Sequence, residues 1–191
     1  MKYAITSIFF ALALFACTSK KRKDKDSSQY FPVRSYVQSQ VKSLDTASYS
    51  FIKIEAFNGK SDTTLLGKEE LKQYTKEFTD IPDLTDADEG NKYNETKSFD
   101  SLMGRVFMSY TATEDDMEVT RQEITVLPTL TGSDEVKTIY VEKLIPSKDG
   151  TIEKKMLWET GYFFTITTIT SKGNSDQVHK LKVLFKKNDL N

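Results

Sequence analysis

Apolar residues change their spacing several times along this chain, and each change marks a different kind of segment. Residues 5–16 (ITSIFFALALFA) are almost continuously apolar, whereas residues 18–29 (TSKKRKDKDSSQ) contain no apolar side chain. The spacing then becomes helical: Val33, Val37, Val41 and Leu44 recur at intervals of three or four, and Pro32 suits a first turn, where its missing N–H is not needed. Residues 49–57 (YSFIKIEAF) are β-branched and aromatic, so they predict a strand. They run into Asn58-Gly59, a strong hairpin signal, with residues 63–66 as the returning strand. Within KEELKQYTKEF, Leu71, Tyr74 and Phe78 share one helical face and Glu69 and Glu70 occupy the first turn, which predicts a second amphipathic helix ended by Pro82.

After a polar loop, the pattern is that of successive strands at residues 105–111, 119–127, 136–145, 152–158, 162–170 and 178–186. The links between them (TEDD, PTLTGSD, PSKDG, ETG and SKGNSD) are short and turn-like, so neighbouring strands should be antiparallel. Alternation assigns faces: Ile152, Met156 and Trp158 share one parity, as do Tyr162, Phe164 and Ile166, and Leu181, Val183 and Phe185 oppose Lys180, Lys182 and Lys186. Residues 136–145 are apolar on both parities, which predicts a central strand covered on both sides. The fold class expected is α+β, an antiparallel β-sheet meander with two amphipathic helices.

The apolar run at residues 5–16 follows Lys2 and is shorter than the roughly 20 residues of a membrane-spanning helix. A basic start and a short apolar core describe a secretory signal. Three segments are therefore expected: a signal peptide at 1–16, a polar tether at 17–29, and a single α+β domain at 30–191. The residues Leu14-Phe15-Ala16-Cys17 resemble the lipobox of bacterial lipoprotein signal peptides, with Phe15 a departure from the small or polar residue preferred there. The resemblance covers only the first stretch of the chain. It implies cleavage before Cys17 and acylation of that residue, and the folded domain is similar to small envelope lipoproteins of uncharacterised function.

One acyl chain binds a bilayer reversibly, at about 0.8 kcal/mol per buried CH₂, whereas the diacylglyceryl and amide-linked chains implied by the resemblance hold firmly. Lys20, Lys21, Arg22, Lys23 and Lys25 lie where headgroups would be. Thr18 stands where an aspartate would retain a lipoprotein in the inner membrane, and the first neighbours are basic, so the expected location is the bacterial cell envelope, on the outer membrane facing the periplasm. Net charge is −1 for all 191 residues, which advertises no nucleic-acid partner.

The chain has one cysteine and one histidine. With Cys17 consumed by lipid, thiol nucleophiles, structural zinc and Fe–S ligation leave the folded domain. His179 has no G-x-S-x-G serine to serve, and its parity beside Leu181 reads as a packed or half-exposed edge histidine. No G-x-G-x-x-G or P-loop is present. Neither catalytic, metal nor cofactor residues are assigned, and no cofactor is expected.

Three weaker features complete the reading. Asp83, Asp86, Asp88 and Glu89 beside Gly90 form an oxygen-rich loop, but it lacks the EF-hand's third ligand and its twelfth-position Glu, so it reads as a solvated loop. Asp45-Thr46-Ala47, Asp62-Thr63-Thr64 and Asp100-Ser101-Leu102 resemble the short sequon of a bacterial O-glycosylation system, but so short a pattern arises often by chance and they read first as ordinary turn and cap residues. Trp158, Tyr162, Phe163 and Phe164 are expected mainly to pack beneath the helices, with some rings outside the core.

The function expected is that of a membrane-anchored, non-enzymatic binding or accessory module. Its expected partners are the membrane, through the N-terminal acyl chains, and another envelope protein. The alternatives are a carrier of lipid or another apolar ligand in a curved sheet, and a hydrolase using carboxylates alone. A lined apolar cavity would favour the carrier and paired buried acids the hydrolase, while a filled core with an exposed apolar patch would favour the binding module.

Overall fold

The computed structural model describes residues 30–188 except 131, 149 and 174. The signal peptide, Cys17 and the tether lie outside the described residues.

Helix α1 (Val33–Thr46) begins one residue later than the proline pattern suggested. Pro32 is the N-cap, and its carbonyl accepts Tyr36 N–H at 2.9 Å. The helix buries Val33, Val37 and Leu44. Strand β1 (Tyr49–Phe57) turns through Asn58 (φ 49°) and Gly59 (φ 75°) into β2 (Lys60–Leu66). Both turn residues take the left-handed conformation that a two-residue hairpin loop demands. Such a tight turn pairs Phe57 directly with Lys60, so β2 starts earlier than the apolar pattern at 63–66 indicated.

Helix α2 (Lys68–Thr79) buries Leu71, Thr75 and Phe78. The connection after it drops Ile81 and Leu84 into the core and makes one helical turn, α3 (Ala87–Gly90), capped by the Asp86 carboxylate on Asp88 N–H at 2.9 Å. Glycine at 90 is a packing requirement, because a Cβ there would sit 2.5 Å from Leu84 O and 2.8 Å from the Tyr30 ring.

Seven further strands follow: β3 (Tyr93–Asp100), β4 (Arg105–Ala112), β5 (Val119–Leu127), β6 (Glu135–Ser147), β7 (Gly150–Glu159), β8 (Phe163–Lys172) and β9 (Ser175–Lys187). They form a single sheet of nine strands in the order β2-β1-β9-β8-β7-β6-β5-β4-β3, antiparallel at every pairing. The fold is thus broadly α+β and dominated by a meander, with β9 returning to β1. Strand β3 was expected as polar loop. It is an edge strand buried only at Tyr93, and polar, charged side chains are the usual dress of an exposed edge.

The helices lie against one face of the sheet. Phe78 of α2 meets Trp158 and Phe164 edge-on, each at 5.5 Å, Trp158 stacks on Phe164 at 5.5 Å, and Phe185 closes the group. These rings fill the layer between helix and sheet. Strand β6 differs from expectation: a bulge brings Val136 onto the same side as Ile139 and Val141, while Tyr140 and Leu144 stand on the side of the sheet that no helix covers. Thr125 pairs with Thr138 but Val126 with Val136, leaving Lys137 as the extra residue, so Val136 and Ile139 both face the helices. A second shift, between Val119 and Arg121, does the same for Val119 and Gln122. On the other side Tyr140 is half-buried and Leu144 exposed. Tyr162 also departs from its predicted parity, because it lies in the β7–β8 turn, 67% exposed, and the strand starts at Phe163.

Candidate interaction surfaces

The chain enters the domain through a tyrosine knot. Tyr30 O–H donates to Gly90 O at 2.8 Å, Tyr93 O–H donates to Val119 O at 2.8 Å, and Phe31 N–H donates to the Tyr110 hydroxyl at 2.9 Å. Burial pushes the Tyr110 phenol up to about 12 and the Tyr93 phenol higher still, so both stay neutral. The strand ends fix where this knot sits. Tyr93, Ala112 and Val119 belong to one end of the sheet, and Asp100, Arg105 and Leu127 to the other.

The end near the knot is acidic. Asp80, Asp83, Asp86, Glu89 and Glu118 surround an open hollow of about 520 Å³ with Arg34 as its cation. The suspected oxygen-rich loop is used locally: Asp83 accepts from Thr85 N–H (3.1 Å) and Oγ1 (2.7 Å), Asp86 caps α3, and Glu89 holds Lys92 at 2.8 Å. Among the described residues no group of three or more His, Cys, Asp and Glu side chains is arranged to hold a metal. Nearby, Lys143 is 3% exposed on the helix-facing side of β6. Its ammonium donates to Asp80 O, the carbonyl of the α2 C-cap, at 2.9 Å, with Glu77 at 3.9 Å and Glu118 at 3.7 Å. A cation at this place also suits the negative end of the helix.

His179 is half-exposed on β9, where the sheet extends past α2. Its Nε2 lies 3.5 Å from Glu55 Oε1 and its ring meets Phe57 edge-on at 6.1 Å. Glu55 is shared with Lys53 at 3.0 Å. Among the described residues no serine hydroxyl joins this pair, so the arrangement is a polar contact on a sheet surface. The sequon-like residues are all at the surface. Thr46 Oγ1 is bonded to Lys42 O and Ser43 O at the end of α1, Thr63 is exposed on the β2 edge, and Ser101 is exposed in the β3–β4 turn.

The face of the sheet away from the helices carries rows that only the register reveals. Leu65, Ile52, Leu184 and Phe163 align across β2, β1, β9 and β8, and the next row runs Lys182, Thr165, Leu157, Tyr140, Glu123 and Ser109. A hollow of about 290 Å³ opens between Phe107, Glu123, Tyr140 and Leu157. The rings are covered by cations: Lys182 Nζ lies 4.0 Å from the Phe163 centroid and the Arg121 guanidinium 5.3 Å from that of Tyr140, while Arg121 also pairs with Glu142 at 2.8 Å.

The last surface is the end opposite the knot. Leu65 (81%), Phe99 (63%), Leu102 (97%), Met103 (54%), Leu130 (109%) and Tyr162 (67%) are all there, while the other exposed large apolar side chains among the described residues, Phe57, Leu144 and Val178, belong to the acidic end and are each less exposed. Sequence reasoning missed this segregation. Its signal was present in apolar residues placed inside turn sequences, Leu102-Met103 before Gly104 and Leu130 before Gly132. No family model, no curated protein and no solved structure matches this chain.

Proposed function

We propose that this protein is a lipid-anchored, non-enzymatic binding module of the bacterial cell envelope, held at the outer membrane through Cys17, with the helix-free face of its sheet as the surface for another envelope protein. In this reading α1 and α2 are amphipathic covers that fill one side of the sheet and leave the other open. The observation that carries it is the contrast between the two faces. Helix and strand rings occupy the inner layer, where a carrier would need a lined cavity, and half-buried Tyr140, Leu157, Phe163 and Phe107 stand among threonines, Arg121 and lysines on the outer one. Aromatic residues and arginine are the types that anchor protein interfaces. Asp83, Asp86 and Glu89 at the knot end are taken up as a turn bond, a cap and a surface pair, an arrangement that favours structure over hydrolysis.

The address is tested first. Mass spectrometry of the mature chain is expected to find its N-terminus at Cys17 carrying acyl chains, and Cys17→Ala should leave the membrane fraction; an unmodified thiol in the membrane-bound protein would refute the anchor. The binding face is tested by crosslinking in cells from outer-face positions: a discrete envelope partner is expected, and none recovered would refute the binding role.

A further inference from the structure

We infer that the apolar end of the sheet seats directly in the headgroup layer of a phospholipid bilayer, inserting the β3–β4 and β5–β6 turns. This inference rests on the lipid-anchored reading above but concerns a different surface from the protein-binding face.

Four observations converge on lipid as the occupant. First, the exposed apolar residues are protrusions and not a flat patch. Leu102 and Leu130 are essentially fully exposed, on separate turns joined to the adjacent strands β4 and β5. Separate protrusions leave a rigid partner little continuous surface to match, whereas a fluid layer closes around each one. Second, a carboxylate bonds to backbone in each turn. Asp100 Oδ1 accepts from Leu102 N–H at 2.9 Å and Met103 N–H at 3.0 Å, and Asp134 Oδ1 accepts from Thr129 N–H at 3.1 Å, closing the loop that presents Leu130.

Third, one cation beside the tips is placed for a phospholipid phosphate, although Asp100, Asp134, Glu135 and Glu159 outnumber the bases there. A hollow of about 350 Å³ is lined by Arg105, Lys137, Glu135, Glu159 and Tyr162 among others, and Lys137 is paired with Glu135 at 2.7 Å. Arg105 has no ion-pair partner among the described residues, which leaves its guanidinium fork for a phosphate. The run of four acids Glu114, Asp115, Asp116 and Glu118 lies at the opposite end of the sheet, while at the apolar end Asp100 and Asp134 accept from backbone N–H groups and Glu135 is paired with Lys137. Fourth, the chain outside the described domain is long enough. Tyr30 packs on Tyr110, five residues along β4 from Arg105, or about 17 Å at 3.3–3.4 Å per residue. Residues 17–29 can extend to at most about 45 Å, so acyl chains on Cys17 and the turn tips can occupy the same leaflet.

The test uses the full processed chain in vesicles of phosphatidylethanolamine and phosphatidylglycerol, with and without bromine on the acyl chains. Trp158 is buried and supplies a constant background. Emission from Leu102→Trp is expected to shift to the blue on vesicles and to be quenched by brominated lipid, while Glu114→Trp at the acidic end shows neither change. Leu102→Trp emission that is unshifted and unquenched while the protein sediments with the vesicles would overturn the inference. So would a shift that appears only in native envelope membranes and never in pure lipid, since the occupant would then be a protein. The mass of the same sample separates this inference from the anchor on which it rests: acylated but unquenched defeats the insertion alone, and quenched without acyl chains defeats the anchor alone.

Discussion

Phe78→Ala is expected to lower the stability of the domain by about 3–5 kcal/mol, the usual cost of removing a buried ring. For a domain of this size that corresponds to a fall of about 6–20 °C in melting temperature. Phe78 is fully buried, and its ring meets both Trp158 and Phe164. Its loss opens a void in the layer that separates helix from sheet. Thermal melting followed by near-ultraviolet circular dichroism reports it doubly, because the Trp158 signal loses its edge-on neighbour. A variant that melts within 2 °C or so of the wild type, less than 1 kcal/mol, would mean that α2 is not held by this cluster.

The second large effect is expected at Lys143. Lys143→Glu places a carboxylate against Asp80 O and between Glu77 and Glu118, so an attraction becomes a buried repulsion worth at least about 3–5 kcal/mol. Lys143→Met keeps the aliphatic stem and removes only the charge. It should cost about 1–3 kcal/mol, because the C-cap carbonyl of α2 loses its donor. The order wild type, then methionine, then glutamate in urea denaturation is the expected result; equal midpoints for the two variants would show that the ammonium contributes volume alone. Glu77 keeps Lys154 as a partner in either variant, so the contrast isolates the pairing at Lys143.

Much of the fold was legible in the sequence where one physical signal dominated. The helical spacing of Val33, Val37 and Leu44, the Asn58-Gly59 turn and the alternation of Leu181, Val183 and Phe185 each survive in the structure because burial on one face decided them. Strand β3 was hidden because an edge strand is stabilised by backbone pairing on one side and carries no apolar face to announce itself. The two-sided pattern at residues 136–145 misled because Tyr140 and Leu144 are apolar residues on the uncovered face, and because a bulge moves Val136 to the covered one. Tyr162 misled because parity cannot be counted through a turn.

The surfaces were less legible than the core. The ladder of Leu65, Ile52, Leu184 and Phe163 depends on which strands are neighbours, and the pairing of β1 with β9 joins residues far apart in sequence. The same is true of the apolar end. Leu102 and Leu130 come to the same end of the sheet only because β4 and β5 run side by side. Local chemistry was easier to anticipate: the carboxylates of Asp83 and Asp86 serve their own turns, and His179 ends half-exposed beside Glu55.

The measurement that bears most directly on the binding-module account is photo-crosslinking in cells from a reactive residue placed at Leu157, on the outer face, with Gln73 on the exposed side of α2 as the control position. The account predicts one discrete crosslinked envelope protein from position 157, none from position 73, and loss of the product when Tyr140 and Arg121 are changed to alanine without a change in membrane fractionation. Crosslinks from position 157 that are absent, or that persist in the Tyr140→Ala, Arg121→Ala variant, would contradict it.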